Sequence, residues 1–179
     1  METQFEPITY VTRTEEVVWG FVLMALSLVI HGFGMVLTLH ATGSFKRRLV
    51  SARHLLSGIG VVILGSWMIL VVQIVEIIMW AAFFQSKQCF ENLSTAVYYT
   101  ALQYTTVGSA LTLPRHWRLL EGMVASAGLM GFAWSTGVLM TLAQAFQSEQ
   151  LRLLGTLRFT GRSQPDRGAS DRHQTDIRE

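Results

Sequence analysis

Residues 101 to 114, ALQYTTVGSALTLP, form a polar stretch between two apolar segments, and the expected fold depends on how this stretch is placed. The segment that leads into it, residues 93 to 104, is too short to cross a bilayer, which requires about 20 apolar residues, and it suits a short helix with Asn92 or Ser94 as its N-cap. After Tyr104, the run of Thr, Val, Gly and Ser and then Pro114 does not favour a continued helix. The pattern predicts a short helix followed by an extended loop that returns to the membrane face from which the helix entered.

The composition is that of a membrane protein. Of the 179 residues, 50% are hydrophobic and only 15% are charged, which is an unfavourable balance for a soluble domain. Three charge-poor runs are long enough to cross a bilayer as helices: residues 17 to 40, 59 to 84 and 119 to 147. We therefore expect an all-α membrane protein with three transmembrane helices and a re-entrant helix and loop between the second and third.

Charged residues outside the spans predict the orientation. The segment of residues 1 to 16 is acidic and the linker of residues 41 to 58 is basic, and basic residues favour the cytoplasmic side. We therefore expect the N-terminus outside, and the linker and the tail of residues 148 to 179 in the cytoplasm, with the tail largely disordered because it is polar. The expected location is the cell membrane, as a multi-pass bacterial inner-membrane protein. Besides setting the topology, four basic residues are candidates for contact with anionic lipid: Lys46, Arg47, Arg48 and Arg53.

The residues from Tyr104 to Gly108, YTTVG, carry a resemblance to a known family. They resemble the selectivity filter of the potassium channel superfamily, which reads T-V-G-Y-G, and Tyr98 and Tyr99 lie where that family has an aromatic pair that braces the filter. The glycine-bearing third span resembles the inner helix of the family, and similar small bacterial members have one extra helix, here residues 17 to 40, before the two-helix pore unit. The resemblance implies a homotetrameric pore domain over residues 59 to 147, with a pore helix at 93 to 104, a filter at 105 to 110 and an inner helix at 119 to 147.

The resemblance also assigns roles to individual residues. The ion-conduction filter comprises Thr105, Thr106, Val107, Gly108, Ser109 and Ala110. The filter support comprises Tyr98 and Tyr99, to which we add Glu76, not from the resemblance but because it is an acid inside the second span at the depth of the filter. The inner cavity and gate comprise Gly128, Phe132, Thr136 and Met140, with Gly128 as a hinge; the alternative for this helix face is ordinary packing in which glycines allow close approach. In the filter, rings of carbonyl and hydroxyl oxygens would replace the hydration shell of the ion.

The resemblance stops after Gly108. Where the family has Tyr, Gly and Asp, this sequence has Ser109, Ala110 and Leu111. Because the Cβ of Ala110 penalises a positive φ, we expect an altered outer half of the filter and weak discrimination of K⁺ from Na⁺. The expected function is passive conduction of K⁺, with Na⁺ as a second candidate ion, and no cofactor, enzymatic activity or nucleic-acid partner is expected. The alternative is a non-conducting or regulatory membrane subunit derived from the same fold.

Glu76 and His31 are ionisable residues within the predicted spans. Glu76, the only acid well inside a span, is a functional candidate for that reason; the alternative is a structural hydrogen bond or ion pair with Gln103, Tyr99 or Arg118. For His31 and His40, which are nine residues apart, we expect buried, hydrogen-bonded side chains, because no cysteine or aspartate shares a metal-binding spacing with them.

Overall fold

The computed structural model describes residues 11–49 and 54–160, and the regular structure in this part of the chain is entirely helical. The helices are α1 (Thr14–Leu49), α2 (His54–Ser86), α3 (Leu93–Tyr104) and α4 (Leu119–Thr160), with a single 3₁₀ turn at Arg115–Trp117. Three stretches are long and apolar enough to cross a membrane: Thr14–Phe45, Gly58–Ser86 and Arg115–Ser148. The prediction of an all-α, multi-pass membrane protein with three apolar spans is confirmed.

The bounds of the short helix agree with the sequence, whereas the long helices extend further than predicted. The side chain of Asn92 accepts a hydrogen bond from the Thr95 N–H at 2.8 Å, so Asn92 is the N-cap of α3 and Ser94 is not. Most of the predicted linker of residues 41 to 58 is helical, and α4 continues to Thr160 through the first part of the predicted tail. The reason is that hydropathy measures only the apolar part of a helix, while Leu, Arg, Gln and Glu continue it into polar surroundings.

Parts of the predicted termini and linker lie outside the described residues. These parts are residues 1 to 10, residues 50 to 53 with Arg53, and residues 161 to 179; the side chains of Lys46 and Arg48 also lie outside the description. The chain divides into two compact units, Met1–Leu142 and Ala143–Glu179. All contacts considered below lie within the first unit.

Helices α1 and α2 pack antiparallel, with polar and small residues at regular intervals along their contact. The Trp80 indole N–H donates to the Ser27 hydroxyl at 2.9 Å. Further along, Gly34 lies so close to Val72 that a Cβ on the glycine would meet the valine side chain at 2.4 Å. Small residues permit this close approach of two backbones, which is how helices associate where apolar burial alone gives no driving force.

One end of the bundle is built from aromatic side chains, and we call it the aromatic end: Trp19, Phe83, Phe84, Tyr99 and Trp117. The ring centroid of Phe83 lies 5.4 Å from that of Trp19 and 5.6 Å from that of Trp117. The rings of Phe84 and Tyr99 meet edge-on, with their centroids 5.9 Å apart. The Lys87 ammonium lies over the Trp19 ring at 4.9 Å and over the Trp117 ring at 5.3 Å. The start of α1, the end of α2, the middle of α3 and the turn before α4 therefore meet at the same end.

Helix α3 runs from the aromatic end into the middle of the bundle. The hydroxyl of Tyr104, its last residue, donates to Glu76 Oε2 at 2.7 Å, and Glu76 lies about 15 Å along α2 from the end of that helix at Ser86. The chain then returns, because the Leu113 N–H donates to Glu121 Oε1 in the first turn of α4 at 2.8 Å. A half-length helix and a loop therefore enter and leave the bundle at the same end.

The start of α4 is held by an acid from α1. Glu16 is buried, and its carboxylate accepts a hydrogen bond from the N–H of Leu119, the first residue of α4. A carboxylate at this position satisfies a backbone donor that the helix leaves unpaired and also interacts favourably with the helix dipole. The contact therefore ties the first turns of α1 to the first turn of α4.

Replacement of Glu16 tests this contact against a neighbouring acid. We expect Glu16→Ala to lower the free energy of unfolding by about 2 kcal/mol, because a hydrogen bond to a charged group is lost. Glu15→Ala is the matched control, since Glu15 is largely exposed and its oxygen is 3.6 Å from the Lys87 ammonium, an arrangement worth about 0.5 kcal/mol. Chemical unfolding of the detergent-solubilised protein, followed by circular dichroism, measures both; equal losses would contradict the capping role of Glu16.

Candidate functional site

The loop after α3 is fixed by the end of the helix itself. The Thr105 N–H donates to Ala101 O at 3.0 Å, the Thr106 N–H to Gln103 O at 2.9 Å, and the Gly108 N–H to Leu102 O at 3.1 Å. These bonds use carbonyl groups that the last turn of a helix leaves without intrahelical partners. The candidate filter residues as far as Gly108 therefore have a defined backbone that α3 positions.

The backbone of this loop includes an unusual conformation. Thr106 has φ of 60° and Gly108 has φ of 80°. Glycine adopts such angles freely, but a β-branched residue there is a clear outlier and costs about 1 to 3 kcal/mol. Among the described residues, Gln88 is the other non-glycine residue with positive φ, so Ala110 avoids the left-handed region, as its Cβ predicts.

The candidate filter residues lie together and are uncovered in the single chain. Val107 is 73% exposed, its neighbours Thr105, Thr106 and Gly108 are exposed as well, and so is Ala110. Ser109 is half-buried and its hydroxyl accepts a hydrogen bond from the Leu111 N–H at 3.0 Å. The loop is thus ordered by its own bonds and has an open outer surface.

Tyr104, the last residue of α3, packs against two glycines of α4. A Cβ on Gly128 would lie 1.9 Å from the Tyr104 carbonyl oxygen, and one on Gly131 would lie 2.8 Å from the Tyr104 hydroxyl oxygen. Only glycine allows these two backbones to approach so closely. The contact gives Gly128 a packing role, and its role as a gating hinge stays a prediction.

Glu76 is part of a buried network that contains one residue from each helix: His31, Glu76, Tyr104 and Ser135. Its Oε2 accepts from the Tyr104 hydroxyl at 2.7 Å, and its Oε1 lies 2.7 Å from His31 Nδ1. The other ring nitrogen, Nε2, lies 3.3 Å from the Ser135 hydroxyl. His31 and Glu76 are each only 1% exposed. The prediction of a buried, hydrogen-bonded side chain is confirmed for His31. For His40 it is wrong, because that side chain faces outward on α1 and is exposed.

The predicted partners of Glu76 were wrong. Gln103 and Tyr99 lie earlier along α3, nearer to the aromatic end, and Arg118 is exposed; none of them makes the hydrogen bonds that Glu76 makes with His31 and Tyr104. Depth explains Tyr99, which lies five residues before Tyr104 and so about 7 Å from the level of Glu76. Gln103 directly precedes Tyr104 but projects about 100° away from it around the helix. The sequence contained one signal for the correct partner: a lone histidine and a lone glutamate in adjacent spans each need a buried partner.

Hydrogens can be assigned so that every group in the network has a partner. When both Glu76 oxygens accept, their donors are the Tyr104 O–H and the His31 Nδ1–H. In this tautomer the Nε2 atom of His31 is an acceptor, and the Ser135 hydroxyl is its donor. Each polar group then has a partner, which is what a buried polar network requires if it is to add stability.

The predicted aromatic pair divides between two environments. Tyr99 is buried in the aromatic end, 4.9 Å from the Phe90 ring between centroids, whereas Tyr98 is 61% exposed. Consecutive residues on a helix point about 100° apart, and here Tyr99 faces the core while Tyr98 lies at the edge of the buried face. On α4, the side chains of Phe132, Thr136 and Met140 are exposed as well. The candidate support and cavity residues are therefore partly core and partly uncovered surface.

Replacement of Gly128 tests the close approach of α4 to the loop. We expect Gly128→Ala to lower the free energy of unfolding by about 3 kcal/mol or more, because the new Cβ meets a backbone oxygen that cannot rotate away. Gly122→Ala is the matched control: it lies on the same helix with no atom within 4 Å of the added Cβ, and helix propensity favours alanine by about 1 kcal/mol. Chemical unfolding in detergent measures the difference, and similar stabilities of the two variants would contradict the proposed packing.

Comparison with known proteins gives no relative for this chain. No protein-family model, no curated protein and no solved structure matches it significantly.

Proposed function

We propose that this protein is a tetrameric monovalent cation channel that conducts K⁺, with Na⁺ as the second candidate ion, through residues 105 to 110. The observation that carries the proposal is the loop after α3, which lies at the inner end of a half-length helix and has an uncovered surface. Inside a membrane, non-helical backbone is tolerated only where protein covers it or where it lines water. A loop at this depth therefore needs further subunits or an aqueous path, and a channel supplies both.

The chemistry of the loop favours a monovalent cation. Residues 92 to 114 contain no charged side chain, so a bound ion would meet carbonyl and hydroxyl oxygens alone. Divalent ions such as Ca²⁺ and Mg²⁺ are usually held by carboxylates, whereas rings of neutral oxygens replace the hydration shell of K⁺ in channels. The C-terminal end of α3, where the helix dipole is negative, adds attraction for a cation.

The uncovered surfaces support assembly of several copies. One loop cannot surround an ion, and cyclic symmetry is the usual way in which identical chains enclose an axis. Val107 and Tyr98 are exposed in the single chain, as are Phe132 and Met140 on α4. We propose that neighbouring subunits cover Tyr98 and that the α4 face lines the inner cavity. Four is the number of copies that the resemblance to potassium channel filters implies.

The strained conformation of Thr106 supports a functional role for the loop. A residue with an unfavourable φ persists only where surrounding structure holds it, and such residues cluster at binding sites. Four copies around an axis would supply that constraint. Beyond Gly108, the half-buried Ser109 and the avoidance of positive φ at Ala110 favour a different outer mouth, for which we propose weak discrimination between K⁺ and Na⁺.

The proposed orientation places the aromatic end outside and the junction of α1 and α2 in the cytoplasm, in a cell membrane of bacterial inner-membrane type. Trp19 and Trp117 suit the interface between lipid and water. At the opposite end Arg47 is exposed, and with Lys46, Arg48 and Arg53 it would favour the cytoplasmic side and contact anionic lipid.

Ion flux through the purified protein tests the function. In liposomes we expect passive K⁺ and Na⁺ flux and a reversal potential near zero with equal concentrations of the two ions on opposite sides. Gly108→Ala should reduce flux at least about tenfold, since a positive φ costs alanine about 1 kcal/mol or more in every subunit. Gly122→Ala is the control and should conduct normally.

The outcomes separate the alternatives. Absence of flux for both ions in the wild-type protein would overturn the channel and favour a non-conducting membrane subunit. A strong preference for K⁺ would leave the channel in place but overturn weak selectivity.

Cysteine labelling in intact cells tests the orientation. Burial raises the pKa of the Cys89 thiol to about 11, so little reactive thiolate is present at pH 8. The Cys89→Ser variant removes even this slow reaction and serves as the background for introduced cysteines. In that background we expect a membrane-impermeant maleimide to label Glu91→Cys in intact cells, and to label Arg47→Cys only after permeabilisation, since both positions are exposed. The reverse pattern would overturn the proposed orientation.

A further inference from the structure

The buried network connects the loop to a helix outside the two-helix pore unit. His31 lies on α1. Ser135 lies on α4, one turn after Gly131, which contacts Tyr104 as Gly128 does. Through Glu76, His31 is two hydrogen bonds from the last residue of α3. The two bonds to Glu76 are both 2.7 Å long and buried, whereas the bond to Ser135 is longer, at 3.3 Å. The strongest connection therefore runs from α1 through α2 to α3.

We propose that His31 is a positioning residue for the ion selectivity of the channel: it orients the Glu76 carboxylate, which holds Tyr104 and with it the inner end of the loop. This inference rests on the proposed function. It makes α1 a part of the filter support, although α1 precedes the pore unit and contributes no residue to the loop.

The carboxylate needs both of its donors to hold Tyr104 in place. A buried carboxylate that loses one hydrogen bond is poorly solvated, and it can recover a partner only by rotating or by moving toward another donor. Either movement changes the direction of Oε2, to which the Tyr104 hydroxyl donates. Removal of His31 Nδ1 therefore acts on Tyr104 without any direct contact between His31 and the loop.

A shift of Tyr104 cannot be absorbed before it reaches the loop. Its carbonyl oxygen lies against Gly128, and two residues later Thr106 has the strained φ of 60°. The hydrogen bond from the Gly108 N–H to Leu102 O spans the same short segment. Because selectivity in such pores depends on the positions and number of the oxygens that face the ion, a small displacement here changes the ion preference.

Two amide substitutions at His31 separate hydrogen bonding from space filling. The amide nitrogen of asparagine reaches approximately the position of Nδ1, and that of glutamine approximately the position of Nε2. His31→Asn therefore keeps the donor to Glu76 and loses volume, whereas His31→Gln keeps more volume and loses that donor. A positioning role favours asparagine, and a purely space-filling role favours glutamine.

The first measurement is the ratio of K⁺ to Na⁺ permeability in liposomes. We expect His31→Gln to change the ratio at least about threefold, an effect within the usual coupling of residues in one network, and His31→Asn to leave it within twofold of wild type. The matched control is His40→Gln, because His40 is an exposed histidine on the same helix, and it should not alter the ratio. An unchanged ratio in His31→Gln, or a larger change in His31→Asn, would overturn the inference.

The second measurement does not depend on conduction. Hydrogen exchange of the detergent-solubilised protein should be at least about tenfold faster in the peptide that covers residues 102 to 110 in His31→Gln, because local opening there becomes easier. His31→Asn and His40→Gln should exchange as wild type does. If wild-type protein fails to conduct, the proposed function fails, and this measurement still decides whether His31 positions the loop.

If His31→Gln does not fold, a milder substitution at Ser135 tests the same inference. Ser135→Ala removes the 3.3 Å contact to His31 Nε2, and we expect a smaller change of the permeability ratio and of exchange over residues 102 to 110. Ser126→Ala is its control, because Ser126 is exposed on the same helix and bonds only to the carbonyl of Gly122 in its own turn. Identical behaviour of the two serine variants, both like wild type, would count against the inference.

Discussion

The hydrogen bonds that converge on the Glu76 carboxylate constrain the rest of this structure. A carboxylate at 1% exposure in an apolar bundle is stable only if donors surround it, and here the donors come from α1 and from the end of α3. Satisfying Glu76 therefore fixes how far α3 penetrates. The position of the loop that follows Tyr104 is a consequence of this requirement.

The glycines of α4 and the aromatic end make that arrangement possible. Gly128 and Gly131 leave room for Tyr104, which a helix with larger side chains would exclude. At the aromatic end, Glu16 and Glu121 accept from backbone N–H groups of the returning chain. A half-length helix can thus be inserted among long helices, because backbone N–H groups of the chain that returns from it find acceptors at the aromatic end.

The proposed function follows from what this framework leaves uncovered. Bonds within the chain order the backbone of residues 105 to 108, yet these residues are exposed in the part of the chain that the structure describes. An ordered, neutral, oxygen-rich surface at this depth suits an ion path closed by other copies. The buried network reaches this loop through Tyr104, so the proposed support consists of residues other than those of the proposed conduction surface.

The amino-acid sequence predicts the three apolar spans, the bounds of α3 and the end of this helix at Tyr104, because each depends on local hydropathy or on local backbone preference. It leaves Asn92 and Ser94 open as the N-cap, between which the structure selects Asn92, and it indicates burial correctly for His31 and wrongly for His40. Helix packing, in contrast, pairs Glu76 with His31 and Tyr104, separates Tyr98 from Tyr99 and brings Gly128 against a carbonyl oxygen. These features depend on how deeply one helix inserts among the others, and no local pattern in the chain specifies that depth.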